Sequence, residues 1–132
     1  MAKENKLFGN STTGQAVIIA AGESSRFWPL SSKHKHKSQT RLLGKSLVYW
    51  TMKGLAENGV KDFIIVRNPH SSMKEQLEEE NDLGVQISYV VQEHQKGSGD
   101  ALVKAREHIK QPFFVFWPNR INANEMAKRM LE

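Results

Sequence analysis

The sequence predicts an α/β fold built on a mostly parallel sheet. Four short apolar runs recur along the chain, at Ala16–Ala20, Phe63–Val66, Val85–Val91 and Phe113–Trp117. Segments with helical spacing and recognisable ends separate them. The resulting β-α-β-α-β-α-β-α order is that of a parallel sheet flanked by helices through right-handed crossovers.

The first, second and fourth runs are nearly continuous in apolar residues, the pattern of parallel strands covered on both faces. The first helix is expected from about Ser46 to Asn58. Ser46 is its N-cap, Val48, Met52 and Leu55 its inward stripe, and Gly59 its stop. The second starts near Ser72. Ser72 and Glu75 have capping-box spacing, and Met73 and Leu77 lie four apart. The third starts near Ser98 and turns Ala101, Leu102, Ala105 and Ile109 inward, with Pro112 beyond its end. The fourth starts near Asn122, with Glu125 three residues on and then Met126 and Met130. Residues 1–14 read as a flexible N-terminal tail and 15–132 as one domain.

The chain has 132 residues, 39% hydrophobic and 25% charged, and no cysteine. That length buries a core without staples. The missing cysteine excludes a disulfide scaffold and any thiolate metal site. The longest apolar run, Ala16–Ala21, is far too short to span a membrane. Met1–Lys6 is polar and lacks the apolar centre of a signal peptide. The protein therefore reads as cytoplasmic.

The net charge of +5 is uneven. Arg26, Lys33, Lys35, Lys37, Arg41, Lys45 and Lys53 all fall between Ser24 and Ala56, where there is no acid. Such a segment attracts phosphate, nucleic acid or an anionic membrane surface. Much of it is the loop Glu23–Arg41, which has no apolar period. In open α/β sheets ligands bind beyond the carboxyl ends of the strands, and this loop leaves the first strand there. Main-chain N–H groups around Gly22, Ser24 and Ser25 can cradle phosphate oxygens, with Arg26 and Lys37 adding charge. A solvated basic loop is the alternative on this pattern alone.

The spelling Ala16-Val-Ile-Ile-Ala-Ala-Gly22-Glu-Ser-Ser-Arg26-Phe-Trp-Pro-Leu30 resembles the signature of sugar-1-phosphate nucleotidylyltransferases, the NDP-sugar pyrophosphorylases. Lys37 stands seven residues before Gly44-Lys45-Ser46-Leu47, the spacing of that signature's later elements. Tyr89-Val-Val-Gln92 followed by Lys96-Gly97-Ser98-Gly99-Asp100-Ala101 resembles a further motif. The resemblance implies a Rossmann-like three-layer sandwich with strand order 3-2-1-4. It implies a nucleotide site of Ala20, Ala21, Gly22, Glu23, Ser24, Ser25, Arg26, Lys37, Gln92, Gly97 and Ser98. Ala20, Ala21 and Gly22 would meet base and ribose through their backbone. Arg26 and Lys37, the implied catalytic pair, would contact the triphosphate. Gln92 would bond the base edge. The implied ligand is a nucleoside triphosphate or NDP-sugar, with Mg²⁺ as cofactor.

Departures accompany the matches. Asn119 stands where the resemblance expects a metal-binding Asp, with Arg120 beside it. Mg²⁺ prefers carboxylates, so this position weakens the expected metal site. His36 and Ser46 replace prolines. The chain is also short for the family and is expected to be its nucleotide-binding half, truncated before the sugar pocket. These departures argue against catalysis by this polypeptide on its own. A non-catalytic nucleotide-sensing or regulatory subunit is the alternative. Nucleic-acid binding by the basic loop ranks below both, since interleaved aromatics are few. In the 3-2-1-4 order the fourth strand is an unpaired edge, and such edges invite another chain. The expected partner there is a second copy or a complementing subunit.

Other residues have plainer readings. His34 and His36 read as solvated loop residues, Trp28 and the Met126/Met130 stripe as packing, and Glu78-Glu79-Glu80 as a solvated helix end. Asp100 reads as an acid favoured by a helix N-terminus.

Overall fold

A computed structural model describes residues 14–21, 39–94, 96–118 and 122–131. In chain order these form β1 (Gln15–Ala20), a hairpin of β2 (Arg41–Leu42) and β3 (Lys45–Ser46), α1 (Leu47–Ala56) and β4 (Asp62–Arg67). Then come α2 (Met73–Glu80), β5 (Gln86–Val91), α3 (Gly97–Ala105), a 3-10 turn (Arg106–His108), β6 (Phe113–Phe116) and α4 (Ala123–Leu131). The four long strands form one parallel sheet in the order β5-β4-β1-β6, which is the expected 3-2-1-4.

β1 lies in the middle, and every one of its residues is buried. Side chains alternate across a strand, so its two faces feed two cores. Ala16, Ile18 and Ala20 join Phe63, Ile65, Phe114 and Phe116 under α1, α2 and α4. Val17 and Ile19 join Ile64 and Val66 under Ala101 and Ala105 of α3. The result is the three-layer sandwich that the resemblance implied.

Gln15 is fully buried and starts β1. Its amide nitrogen donates to the His108 carbonyl at 2.6 Å and to Asp62 Oδ2 at 2.9 Å. Its oxygen accepts from Lys110 N at 3.0 Å. The amide is satisfied on both sides, so burying it carries little penalty. The Gly14 carbonyl, assigned by sequence to the tail, accepts from Lys61 N and Asp62 N.

Ser46 caps α1 as expected, accepting from Tyr49 N. Val48, Met52 and Leu55 are buried, as the spacing predicts. Gly54 has a specific reason to lack a side chain. A Cβ there would sit 2.6 Å from Asn124 N and 3.1 Å from Ala123 Cβ. The glycine lets α4 lie directly on α1. The inward face of α4 is therefore Ala123 and Ala127, with Met126 half-buried and Met130 exposed. This corrects the Met126/Met130 stripe: at so close a crossing, small residues fit and long ones turn outward.

Three further expectations change. The Ser72–Glu75 capping box does not form. Ser71 Oγ takes the Met73 N–H, while Ser72 Oγ accepts from Gln39 Nε2. The expected loop Glu23–Arg41 runs at its last residue into the β2–β3 hairpin, whose turn places Leu43 at φ +55° and Gly44 at φ +88°, while residues 23–38 lie outside the described residues. The fourth strand is not covered on both faces. Phe114 and Phe116 are buried, but Phe113, Val115 and Trp117 are exposed. α3 packs chiefly on β1, β4 and β5, which leaves that side of β6 partly open. No helix among the described residues is long and apolar enough to cross a membrane.

Candidate functional site

The parallel register brings the carboxyl ends of three strands level. Ala20 of β1 pairs with Arg67 of β4, which pairs with Val91 of β5. One residue further on, Ala21, Asn68 and Gln92 form a rim. Ala21 and Gln92 are thus two strands apart, roughly 10 Å from the spacing of a sheet. Ala20 and Ala21 are both buried at this end of the sheet.

Gln92 N donates to the Arg67 carbonyl at 2.8 Å, extending the ladder one residue past β5. Its side chain is 4% exposed. The amide nitrogen donates to Asp100 Oδ2 at 2.8 Å and to the Gly97 carbonyl at 3.3 Å. The loop from Gln92 thus folds back onto the first turn of α3. Gly97 has φ +91°, a left-handed conformation that suits glycine, and Gly97 and Ser98 are exposed beside Gln92. Of the sequence-derived site, the structure brings Ala20, Ala21, Gln92, Gly97 and Ser98 to one end of the sheet. Gly22, Glu23, Ser24, Ser25, Arg26, Lys37 and Asn119 lie outside the described residues, as do His34, His36 and Trp28.

Sequence reasoning missed what holds the chain on the far side of that loop. Gln39 is 1% exposed. Its amide donates to Ser72 Oγ and Gln76 Oε1, each at 3.0 Å, and its carbonyl accepts from Gln76 Nε2 at 3.1 Å. Gln76 also donates to Glu80 Oε2 at 3.0 Å. Glu80 is 5% exposed, not solvated. Its carboxylate accepts from Ser46 N at 3.0 Å and from Ser46 Oγ at 2.6 Å. One carboxylate therefore ties the start of α1 to the end of α2. In a run of three glutamates no local signal marks the one that turns inward, except that Glu80 lies on the helical face of Met73 and Leu77.

Three basic residues of the positive segment are described, and two of them are engaged away from the rim. Lys45 pairs with Asp82 at 3.6 Å and donates to the Glu80 carbonyl, and Lys53 pairs with Glu57 at 2.8 Å. Tyr49 donates to Asp82 Oδ1 at 2.6 Å. Burial, with that hydrogen bond, pushes the Tyr49 hydroxyl up to about 12. The same bond, followed by the Lys45 charge, holds the Asp82 carboxyl below its usual range. Burial likewise raises Tyr89 to about 12.

A family model described as nucleotidyl transferase matches residues 15–130. The chain belongs to the nucleotidyl transferase family. Among relatives, it is 31% identical over 121 residues to the UTP–glucose-1-phosphate uridylyltransferase AglF of Haloferax volcanii, covering 89% of this chain and 49% of that one. Among solved structures, HddC from Yersinia pseudotuberculosis superposes with a TM-score of 0.72 at 20% identity, over 91% of this chain and 55% of that one. The inositol-1-phosphate CTP transferase from T. maritima superposes with a TM-score of 0.66 at 25% identity, over 80% and 43%. The nucleotidyl transferase match thus spans nearly the whole of this chain, which is about half the length of these three proteins. Two of them carry different nucleotides in their names, UTP and CTP.

Proposed function

We propose that this chain binds a nucleoside triphosphate or NDP-sugar at the carboxyl end of its sheet. In this reading it is the nucleotide-binding half of a machinery that transfers a nucleotidyl group to a sugar 1-phosphate. The observation that supports it best is the rim itself. Ala20–Ala21 and Gln92–Gly97 come from motifs about seventy residues apart, and the parallel register brings them level, two strands apart, at the end of the sheet where α/β folds bind ligands.

In the transfer, an oxygen of the sugar phosphate bonds to the α-phosphorus, and the bond from that phosphorus to pyrophosphate breaks. The protein's part is placement and charge. Ala20, Ala21 and Gly22 hold base and ribose through main-chain groups. Main-chain N–H groups around Gly22, Ser24 and Ser25 would cradle phosphate oxygens, with Glu23 in the same stretch. Arg26 grips the phosphate chain with its planar fork, and Lys37 follows charge developing on the α-phosphoryl group. Mg²⁺ is a different matter. The carboxylate expected to hold it is replaced by Asn119, a neutral amide with Arg120 next in sequence, and that pair fits a hard divalent cation poorly.

Thermal shift with nucleoside triphosphates tests the binding. A rise in melting temperature with at least one triphosphate is expected, and no rise with any would refute the reading. Asn119 favours a second reading, a nucleotide-sensing or regulatory subunit without transfer activity. A pyrophosphorolysis assay on NDP-sugars separates the two, and Asn119→Asp asks whether the carboxylate alone is missing.

The partner in either reading sits on β6. Phe113, Val115 and Trp117 present an apolar stripe on a strand whose outer edge pairs with no other strand among the described residues. A second copy or a complementing subunit adds a strand there and covers the stripe. Light scattering at rising concentration should show association that Val115→Lys abolishes. A strictly monomeric wild-type protein that binds no other chain would remove this part of the proposal.

A further inference from the structure

The sheet has two outer strands, and they are built differently. β5 carries the polar residues Gln86 and Ser88, and Lys74 of α2 lies 5.7 Å from the centroid of its Tyr89 ring. Polar and charged groups of this kind discourage a sheet edge from pairing with another chain. β6 and the residue after it spell Phe113-Phe-Val-Phe-Trp117, without one polar side chain. Among the described residues β6 pairs with β1 alone. Two prolines, Pro112 and Pro118, bracket the stretch. Proline has no N–H to give a ladder, so the pair bounds the length that can bond to a new strand. The five residues between them are also symmetric about Val115. An exposed aromatic stands two positions away on either side, and a buried phenylalanine one position away.

We propose that β6 pairs edge to edge with β6 of a second copy, antiparallel, about a two-fold axis at Val115, so that two sheets become one of eight strands. The inference rests on the reading that another chain adds a strand to β6, and it names that chain. The axis sets Val115 opposite the second copy's Val115, and Phe113 opposite its Trp117. Opposed side chains of an antiparallel pair share a face and touch, so the seam carries two aromatic pairs around a valine pair. The prolines then oppose each other just outside the ladder. Moving the axis to Phe114 or Phe116 brings a proline opposite a phenylalanine and shortens the ladder to three residues. The pairing consumes the same edge of both copies, so it closes at two. A five-residue seam buries less than the roughly 1,200–2,000 Å² of a stable complex, so the association is weak and depends on concentration. Antiparallel pairing points the two carboxyl ends in opposite directions. Each rim of Ala21, Asn68 and Gln92 stays open, and the second copy lends it no residue.

The chain has no cysteine, so one introduced thiol reports its own neighbours. Opposed Cα atoms in an antiparallel pair lie about 4.5–5.5 Å apart, within reach of a disulfide. Under a mild thiol oxidant, Val115→Cys in the full chain should link into a dimer. Phe113→Cys alone should not, because its two copies stand four residues apart along the seam, roughly 14 Å. Trp117→Cys alone should fail for the same reason. An equal mixture of the two should link, and mass spectrometry should find nearly every linked pair mixed, against half for random collision. Val103→Cys, exposed on α3 and away from the edge, is the collision control. Val115→Cys that links no more than this control overturns the proposal. So does Phe113→Cys or Trp117→Cys that links with itself as readily as with the other. Light scattering of the wild-type chain needs no variant, and a mass that grows beyond two copies also overturns it. If the cysteine pattern fails while an association persists that Val115→Lys abolishes, β6 still takes a partner strand and only the two-fold pairing falls. A wild-type chain that stays monomeric and binds no other chain removes both.

Discussion

Replacing Glu80 with alanine should unfold this protein far more readily than a change in a surface glutamate run suggests. The carboxylate takes three hydrogen bonds, from Ser46 N, Ser46 Oγ and Gln76 Nε2. In Glu80→Ala the three donors differ in their alternatives. Ser46 Oγ can rotate and still caps Tyr49 N. Gln76 is half-buried and can turn to water. The Ser46 N–H is buried and fixed, and it loses its acceptor outright. One orphaned buried donor costs about 1–3 kcal/mol, and each lost charge-assisted bond with a fallback about 1 kcal/mol. Against this stands the relief of no longer burying a carboxylate, about 1–2 kcal/mol. The net loss is about 1–4 kcal/mol. For a chain this long that lowers the melting temperature by roughly 4–15 °C. Glu80→Gln keeps an acceptor for Ser46 N and should recover more than half of the loss. Urea unfolding followed by circular dichroism at pH 7 measures both variants. A loss under about 0.5 kcal/mol for Glu80→Ala, or an equal loss for the two variants, would show that the clamp carries no such weight.

Three further outcomes are expected. Gly54→Ala places a methyl 2.6 Å from Asn124 N, so α4 must lift from α1, and urea unfolding should show a loss of about 1–3 kcal/mol despite alanine's better helix propensity. Leu43 holds φ +55° with its side chain 85% exposed, so Leu43→Asn should raise stability by roughly 0.5–1 kcal/mol in the same assay, since asparagine tolerates that turn conformation. The chain has two tyrosines, Tyr49 and Tyr89, both held at about 12 by burial, so the folded protein should show almost no phenolate absorbance at pH 10–11. The unfolded chain titrates near 10.0 and releases those protons first, so stability is full below pH 10 and falls as pH rises towards 12. A native phenolate midpoint near pH 10 would contradict the burial of both rings.

Much of the fold could be read from the sequence, because apolar runs and helix ends are local signals. β1 is buried on both faces and reads as a continuous apolar run. Ser46 declares itself as a cap by type and position. The residues that escaped reading depend on distant neighbours. Gly54 looks like a weak point in a helix until α4 is seen to lie on it. Glu80 is one of three identical neighbours, and beyond its place on the face of Met73 and Leu77 only the position of Ser46 distinguishes it. β6 has the same apolar spelling as β1, yet half of it is bare, because composition cannot say whether a helix lies opposite. The β2–β3 hairpin is too short to show a period. In the site, the motif spacing pointed to Gln92 and Gly97, and the direction of the Gln92 amide emerged only with the fold of Asp100 against it.

The central place of β1 also sets a timetable. Its partner β4 follows it by about fifty residues, but its other partner, β6, follows by about a hundred. Closing the longer loop costs only slightly more entropy, yet β6 is made later on the ribosome. While residues 68–112 are being synthesised, the most buried strand of the protein has one edge without its partner. The newest segment of the sheet is the one that seals the oldest. A nascent chain halted in that interval would expose Val17 and Ile18 along a free edge, and this is the stage at which a chaperone has the most to hold.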